Sequence, residues 1–102
     1  MRSAREVIIA GAGIGGLTAA LALARRDFRV TVFEQAERLE EIGAGVQLSP
    51  NASRVLLSLG LGERLQPYVV APEELRVTDA RTGRVLAHAP LGAAATKRYG
   101  AP

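Results

Sequence analysis

Residues 7–24 read VIIAGAGIGGLTAALALA, and residues 30–34 read VTVFE. Val7, Ile8, Ile9 and Ala10 form a continuous apolar run that stops at a glycine, the pattern of a short strand buried on both faces and therefore central in its sheet. After the glycines, Leu17, Leu21 and Ala24 recur at helical spacing, while Ala19, Ala20, Ala22 and Leu23 add helix propensity without bulk. Arg25 and Arg26 fall in the last turn of that helix, where cations complement its negative end. A tight connection at Asp27 and Phe28 leads to Val30, Thr31, Val32 and Phe33, a second strand rich in β-branched residues. Strand, helix and strand over residues 5–35 make one βαβ unit with parallel strands, which places the chain in the α/β class with a Rossmann-type core.

The glycines between strand and helix carry the chemistry. Gly11 permits a tight turn off the strand, Gly13 lets backbone approach a pyrophosphate, and Gly16 lets the helix pack closely on the sheet. The helix that follows points its unpaired N–H groups and positive dipole end at the turn, so phosphate binding there needs no lysine or arginine. No Lys followed by Ser or Thr succeeds Gly16, which excludes a P-loop. A glycine triplet alone is weak evidence; its position after a strand, before a helix, and roughly 20 residues ahead of an acid ending a second strand completes the dinucleotide-binding fingerprint. That acid is Glu34, placed to accept hydrogen bonds from an adenosine ribose and to repel a 2′-phosphate. FAD and NAD fit such a site, and NADP does not.

Charge and composition narrow the remaining classes. The chain has 102 residues, is 48% hydrophobic and only 4% aromatic, so its core must be aliphatic. Thirteen basic against ten acidic residues give a net charge of +3, but the arginines are scattered, with no run that would track a nucleic-acid backbone. With no cysteine there is no disulfide framework, thiol nucleophile or thiolate metal site. The start of the chain runs directly into the glycine motif rather than into a signal-peptide cleavage site, and no apolar run is long enough to cross a bilayer. The expectation is a cytoplasmic protein with no membrane and no nucleic-acid partner.

Beyond the second strand the pattern is less regular. Residues 36–42 are polar and acidic, and Gly43, Ala44 and Gly45 lead into the apolar Val46 to Leu48, which reads as a glycine-flexed loop closing into a short strand. Ser49 before Pro50 has the pattern of an N-cap with proline at the first helical position, and Val55, Leu56 and Leu59 give a short amphipathic helix stopped at Gly60. A further helical turn follows from Leu61 to Leu65. Leu75 to Thr78 and Arg84 to His88 read as a β-hairpin around Asp79, Ala80, Arg81, Thr82 and Gly83. His88, the one histidine, is expected to be structural. Nothing after Pro90 reads as a completed element.

Several segments together resemble a known family. Glu34, Gln35, Ala36, then Glu41 to Ala52, and later Leu59, Gly60 and Leu61 are similar to the flavin-dependent aromatic hydroxylases of the salicylate hydroxylase type, class A monooxygenases. The resemblance covers essentially the whole chain as the N-terminal part of the FAD-binding domain, residues 1–102, with the βαβ core at 5–35, the glycine loop and helix at 43–66 and the hairpin at 74–89. It implies that Gly11, Ala12, Gly13, Ile14, Gly15 and Gly16 lie along the FAD pyrophosphate and that Glu34, with Gln35 beside it, holds the adenosine ribose. It further implies that Gly45, Val46 and Gln47, from the loop that starts at Gly43, pass close to the flavin, with Gln47 near flavin or substrate. In such enzymes NADH or NADPH reduces the flavin, which then uses oxygen to hydroxylate an aromatic small molecule. The flavin supplies that chemistry, so no catalytic side chain and no metal site are nominated.

The resemblance has two departures. The family usually has glycine where Asp27 ends the helix, so this corner is expected to be strained or rebuilt. Family chains are also several times longer, and Tyr99, Gly100, Ala101 and Pro102 fall just before a His-Arg motif whose arginine contacts FAD; that arginine, the later Gly-Asp motif and most of the substrate domain are absent. The fold is then incomplete relative to the family's, and the chain alone is expected to show negligible turnover. Two other readings compete: another FAD-dependent oxidoreductase reaction, or a small non-catalytic dinucleotide-binding module that self-associates through exposed sheet edges.

Overall fold

The computed structural model describes Ser3, residues 5–40 and residues 45–102. The chain divides into two compact units, Met1–Gly45 and Val46–Pro102, and each is described by itself.

The first unit is the βαβ unit. Strand β1, Glu6–Ala10, runs into helix α1, Ile14–Ala24, which returns the chain to strand β2, Arg29–Phe33, parallel to β1 with Val7 opposite Val30 and Ile9 opposite Val32. Because side chains alternate along a strand, Val7, Ile9, Val30 and Val32 share one face and are half-buried. Helix α1 covers that face: a Cβ built on Gly16 would lie 3.4 Å from the Ile9 side chain. The opposite face carries Ile8, 70% exposed, and Phe33, 60% exposed, with Glu6 and Arg29 paired at 3.3 Å at its start. That ion pair is open to solvent and adds little stability. The expectation that β1 is buried on both faces is therefore not met. Among the described residues β1 has one neighbouring strand and a helix on one side only, so its apolar run is half covered.

The corner after α1 keeps its left-handed turn without glycine. Asp27 adopts φ 63°, and its N–H donates to the Ala24 carbonyl at 3.2 Å while the Phe28 N–H reaches back to Leu23 at 3.2 Å. The corner is strained, as its sequence suggested, but not rebuilt. Arg25 is the C-cap and Arg26 lies beyond it, so neither is inside the last turn; Arg26 Nη1 nevertheless donates to the Ala22 carbonyl at 3.3 Å, serving an orphan acceptor of that helix end. Asp27→Gly should raise stability by about 0.5–1 kcal/mol, because a left-handed β-carbon is removed, which outweighs the extra freedom of the unfolded chain. A denaturant melt of the two proteins checks this; an unchanged or lower midpoint would show that the aspartate is not strained.

The second unit opens on an irregular stretch, residues 46–49, where the short strand expected at Val46 to Leu48 does not form. Helix α2, Pro50–Ser58, starts as read, with Ser49 as N-cap and Pro50 inside the first turn, although the Ser49 hydroxyl makes no capping bond. It stops at Gly60, φ 76°, whose N–H donates to Leu57 at 3.0 Å while Leu61 donates to Leu56 at 3.2 Å. Those two bonds are a Schellman closure, which requires the left-handed residue that glycine supplies. Helix α3, Gly62–Leu65, and a 3-10 turn, Gln66–Tyr68, follow.

Strands β3, Glu74–Thr78, and β4, Val85–Pro90, form the antiparallel hairpin, with a register shift between Val77 and Thr78. Its turn is held by Asp79 Oδ1, which accepts from the Arg81 and Thr82 amides at 2.8 and 3.0 Å, and by Gly83 at φ 71°. His88 is exposed and lies opposite Arg76. Contrary to expectation, the chain beyond Pro90 does complete an element: helix α4, Ala93–Tyr99, ending at left-handed Gly100. Three alanines, a basic last turn and a closing glycine were its signals. Arg54 Nη2 of α2 donates to the Tyr99 carbonyl at 2.5 Å, placing a cation at the negative end of α4. Leu59, Ala95 and Ala101 are the buried apolar residues of this unit among those described.

Candidate dinucleotide site

The glycine turn and the end of β2 come together at one edge of the first unit. The Gly11 N–H donates to the Phe33 carbonyl at 2.7 Å, which extends the parallel ladder by one step and sets the turn beside Glu34. Glu34 Oε2 then accepts from the Ala12 N–H at 2.8 Å, and its Oε1 accepts from the amides of Gln35 at 2.9 Å and Ala36 at 3.3 Å. Ala10, Gly11, Phe33, Glu34 and Gln35 line an open concavity of about 420 Å³ at this point. Sequence reasoning missed Ala10 and Phe33 as lining residues and Ala36 as a partner of the carboxylate. They are the residues next to the motif positions, and strand alternation with a chain reversal brings them in.

The glycines divide by what demands them. Gly11 sits at φ 106°, which a side chain rarely adopts, and a Cβ on Gly16 would stand 2.0 Å from the Gly11 carbonyl oxygen. The protein's own geometry therefore requires glycine at both. At Gly13 and Gly15 a Cβ would meet nothing within 4 Å. These two glycines leave open space in front of the helix start, the cradle that a pyrophosphate would fill. The first helical bond of α1 runs from the Leu17 N–H to the Gly13 carbonyl at 3.0 Å, so the amides of Ile14, Gly15 and Gly16 precede the helical ladder. Turn, amides and carboxylate together fit a dinucleotide, with no charged side chain required at the phosphates.

Electrostatics support an ionised Glu34. The Ala12 amide and then that of Ala36 hold the Glu34 carboxyl below its ordinary value of 4.5, against an opposing effect of desolvation, with the Gln35 amide adding least. In the second unit the Thr82 and Arg81 amides hold Asp79 below its ordinary 3.8. Both groups bind protons less readily folded than unfolded, so their stabilising contribution is complete above those ordinary values and is lost as pH falls through the lower folded values. Stability is expected to be flat near neutrality and to decline below about pH 4.5, less steeply in Glu34→Gln and Asp79→Asn. Urea midpoints measured from pH 7 downward test this; parallel curves for wild type and both variants would remove the two carboxylates as its source.

The remaining positions of the expected site come later in the chain. Gly45 closes the first unit, and Val46 and Gln47 open the second; all three are exposed. Gly43 and Ala44, with Glu41 and Ile42 before them, lie outside the described residues. Among the described residues no helix is long and apolar enough to cross a membrane.

The comparisons with known proteins agree with this geometry. Residues 9–40, which span the glycine turn and Glu34, match the family model described as an NAD(P)-binding Rossmann-like domain. This chain carries a Rossmann-like dinucleotide unit. Across nearly its full length it is also similar to hydroxylases and monooxygenases. Identity is 48% over 96 residues to 3-hydroxybenzoate 6-hydroxylase of Polaromonas naphthalenivorans, covering 94% of this chain and 24% of that protein. It is 42% over 97 residues to 3-amino-4-hydroxybenzoate 2-monooxygenase of Streptomyces cremeus, covering 95% and 25%. To 6-hydroxynicotinate 3-monooxygenase of Pseudomonas fluorescens it is 37% over 101 residues, covering 99% and 26%. The Rossmann-like chain thus spans about a quarter of the length of the curated relatives it matches. The resemblance seen in the residues, to aromatic hydroxylases, agrees with the names of these relatives.

Proposed function

We propose that this chain binds FAD through its adenosine half, as the N-terminal part, residues 1–102, of the FAD-binding domain of an aromatic-ring monooxygenase. The observation that carries the reading is the Glu34 carboxylate, 2.8 Å from the Ala12 amide at the mouth of an open glycine cradle. The amides at the start of α1 and the space over Gly13 and Gly15 take the pyrophosphate, and Glu34 takes the ribose. The matching family model is described as NAD(P)-binding, but oxygen insertion favours FAD. A nicotinamide transfers hydride, whereas a bound flavin supplies the reaction with oxygen that hydroxylation needs. Glu34 also disfavours a nucleotide carrying a 2′-phosphate.

For the whole protein we propose hydroxylation of an aromatic acid, with NADH or NADPH as reductant, on the strength of relatives named for hydroxybenzoates and hydroxynicotinate. Gly45, Val46 and Gln47 are proposed to face the flavin ring, a role suited to a short glycine-containing segment. The test is titration of the purified chain with FAD, NAD and NADP, followed by flavin fluorescence and calorimetry. FAD binding with visible flavin colour, and weak or absent NADP binding, is the expected result. Tight NAD binding without affinity for FAD would overturn the flavin assignment.

A second reading, self-association, is favoured by the exposed Ile8 and Phe33 on the uncovered face of the β1–β2 sheet. Sedimentation over a concentration series decides it: a monomer at all concentrations removes it.

A further inference from the structure

Strands β3 and β4 form a hairpin with two unlike faces. Side chains alternate along each strand, and the register sets Leu75 opposite Ala89 and Val77 opposite Ala87, so these four share one face. The other face carries Glu74, Arg76 and His88, with Glu74 and Arg76 ion-paired. Every residue of both strands is exposed; Leu75 is 55% and Val77 52% exposed. Among the described residues of this unit, the buried apolar ones are Leu59, Ala95 and Ala101, at the end of α2, in α4 and after it. The hairpin adds none. A two-stranded hairpin is marginal in water until its apolar face is covered.

We propose that the face of Leu75, Val77, Ala87 and Ala89 is an interface between two copies of this chain, hairpin packed on hairpin about a two-fold axis parallel to the strands. The proposal is independent of the nucleotide reading. Its large side chains are both on β3 and its small ones both on β4, which makes the face complementary to itself. A two-fold axis along the strands, midway between the faces, lays β3 of each copy over β4 of the other. Leu75 then meets the other copy's Ala89 and Val77 its Ala87, large over small, as interdigitating layers require. Edge-to-edge pairing is opposed, because β3 carries the charges of Glu74 and Arg76 and Pro90 of β4 has no N–H to donate.

There is surface enough for such a contact. The chain exposes 9136 Å², whereas two separate folded bodies, each of half its 10.7 kDa, would together expose about 6,600 Å². The difference exceeds the roughly 800 Å² per partner of a standard interface. The four side chains themselves are a small centre for it, so the dimer is expected to be weak and concentration-dependent.

The experiment is sedimentation of the 102-residue chain from about 5 to 500 μM, beside single variants. Wild type should pass from monomer to dimer over that range. Val77→Glu, which sets a charge in the contact, should raise the dissociation constant about 100-fold or more, while His88→Asn on the opposite face stays within about twofold of wild type. Both positions are exposed, and circular dichroism of each variant monitors the hairpin. Ala87→Val fills the recess that Val77 of the other copy enters and should weaken the dimer about tenfold; adding Val77→Ala exchanges large for small and should restore it. That rescue separates a fitted contact from general stickiness, since Ala87→Val by itself adds apolar surface. A tighter dimer in Ala87→Val, or no rescue in the double variant, would overturn the fitted interface. A dimer that survives Val77→Glu but is lost in Ile8→Lys would place self-association on the β1–β2 face and overturn the proposal. A monomer at every concentration would overturn it as well and leave the hairpin face to a different polypeptide.

Discussion

Replacing Gly16 with alanine is expected to destabilise the chain by about 3 kcal/mol and to abolish nucleotide binding. Two effects oppose each other there. Alanine in a helix gains about 0.5–1 kcal/mol over glycine. Against it, the new methyl would sit 2.0 Å from the Gly11 carbonyl oxygen and 3.1 Å from its carbon. Both obstacles are backbone, so no rotamer change relieves them, and either α1 must lift from β1 or the turn must open. Repulsion wins, and it distorts the segment that would carry the phosphates. Gly15→Ala is the matched control, since a Cβ there meets nothing within 4 Å. It should leave stability equal or higher by about 0.5 kcal/mol, while FAD affinity falls because the methyl occupies the cradle. Thermal melts beside FAD titrations separate the two. A Gly15→Ala protein that binds FAD as well as wild type would show that the pyrophosphate does not lie over that residue.

Replacing Glu34 with alanine is expected to weaken FAD binding about 10- to 100-fold, in line with losing a charged hydrogen-bonding partner together with the order it gives the turn. Unlike the Gly16 change it should barely alter the secondary structure, because β2 ends at Phe33 and its ladder with β1 does not depend on the carboxylate. The substitution should also narrow the preference for NAD over NADP, since the negative charge that opposes a 2′-phosphate is gone. Fluorescence titrations of wild type and variant with FAD, NAD and NADP check both effects. Unchanged affinity for FAD would remove Glu34 from the ribose site.

Much of the first unit was legible because its elements are specified by near neighbours. An apolar run ending at glycine, alanines and leucines at helical spacing, and a β-branched run ending at Glu34 each follow local rules that tertiary contacts reinforced. Helix α4 was the opposite case. Leu91 to Ala95 are small and patternless, and α4 is fastened by contacts from elsewhere in its unit, such as the Arg54 guanidinium on the Tyr99 carbonyl. The strand expected at Val46 to Leu48 failed for a related reason: an apolar triplet has β propensity, but a strand needs a partner to take its backbone hydrogen bonds.

The sequence by itself determined the βαβ unit, the turn at Gly11 to Gly16 and the acid at Glu34, because glycine conformational freedom, helical spacing and strand composition act over a few residues at a time. Only the tertiary structure decided that β1 is covered on one face, since burial depends on which elements arrive from a distance. It also decided which glycines the protein needs for itself and which it leaves open. Last, it showed that the Glu34 carboxylate is already held by three amides, because hydrogen-bond occupancy depends on the return of β2 to the side of the glycine turn.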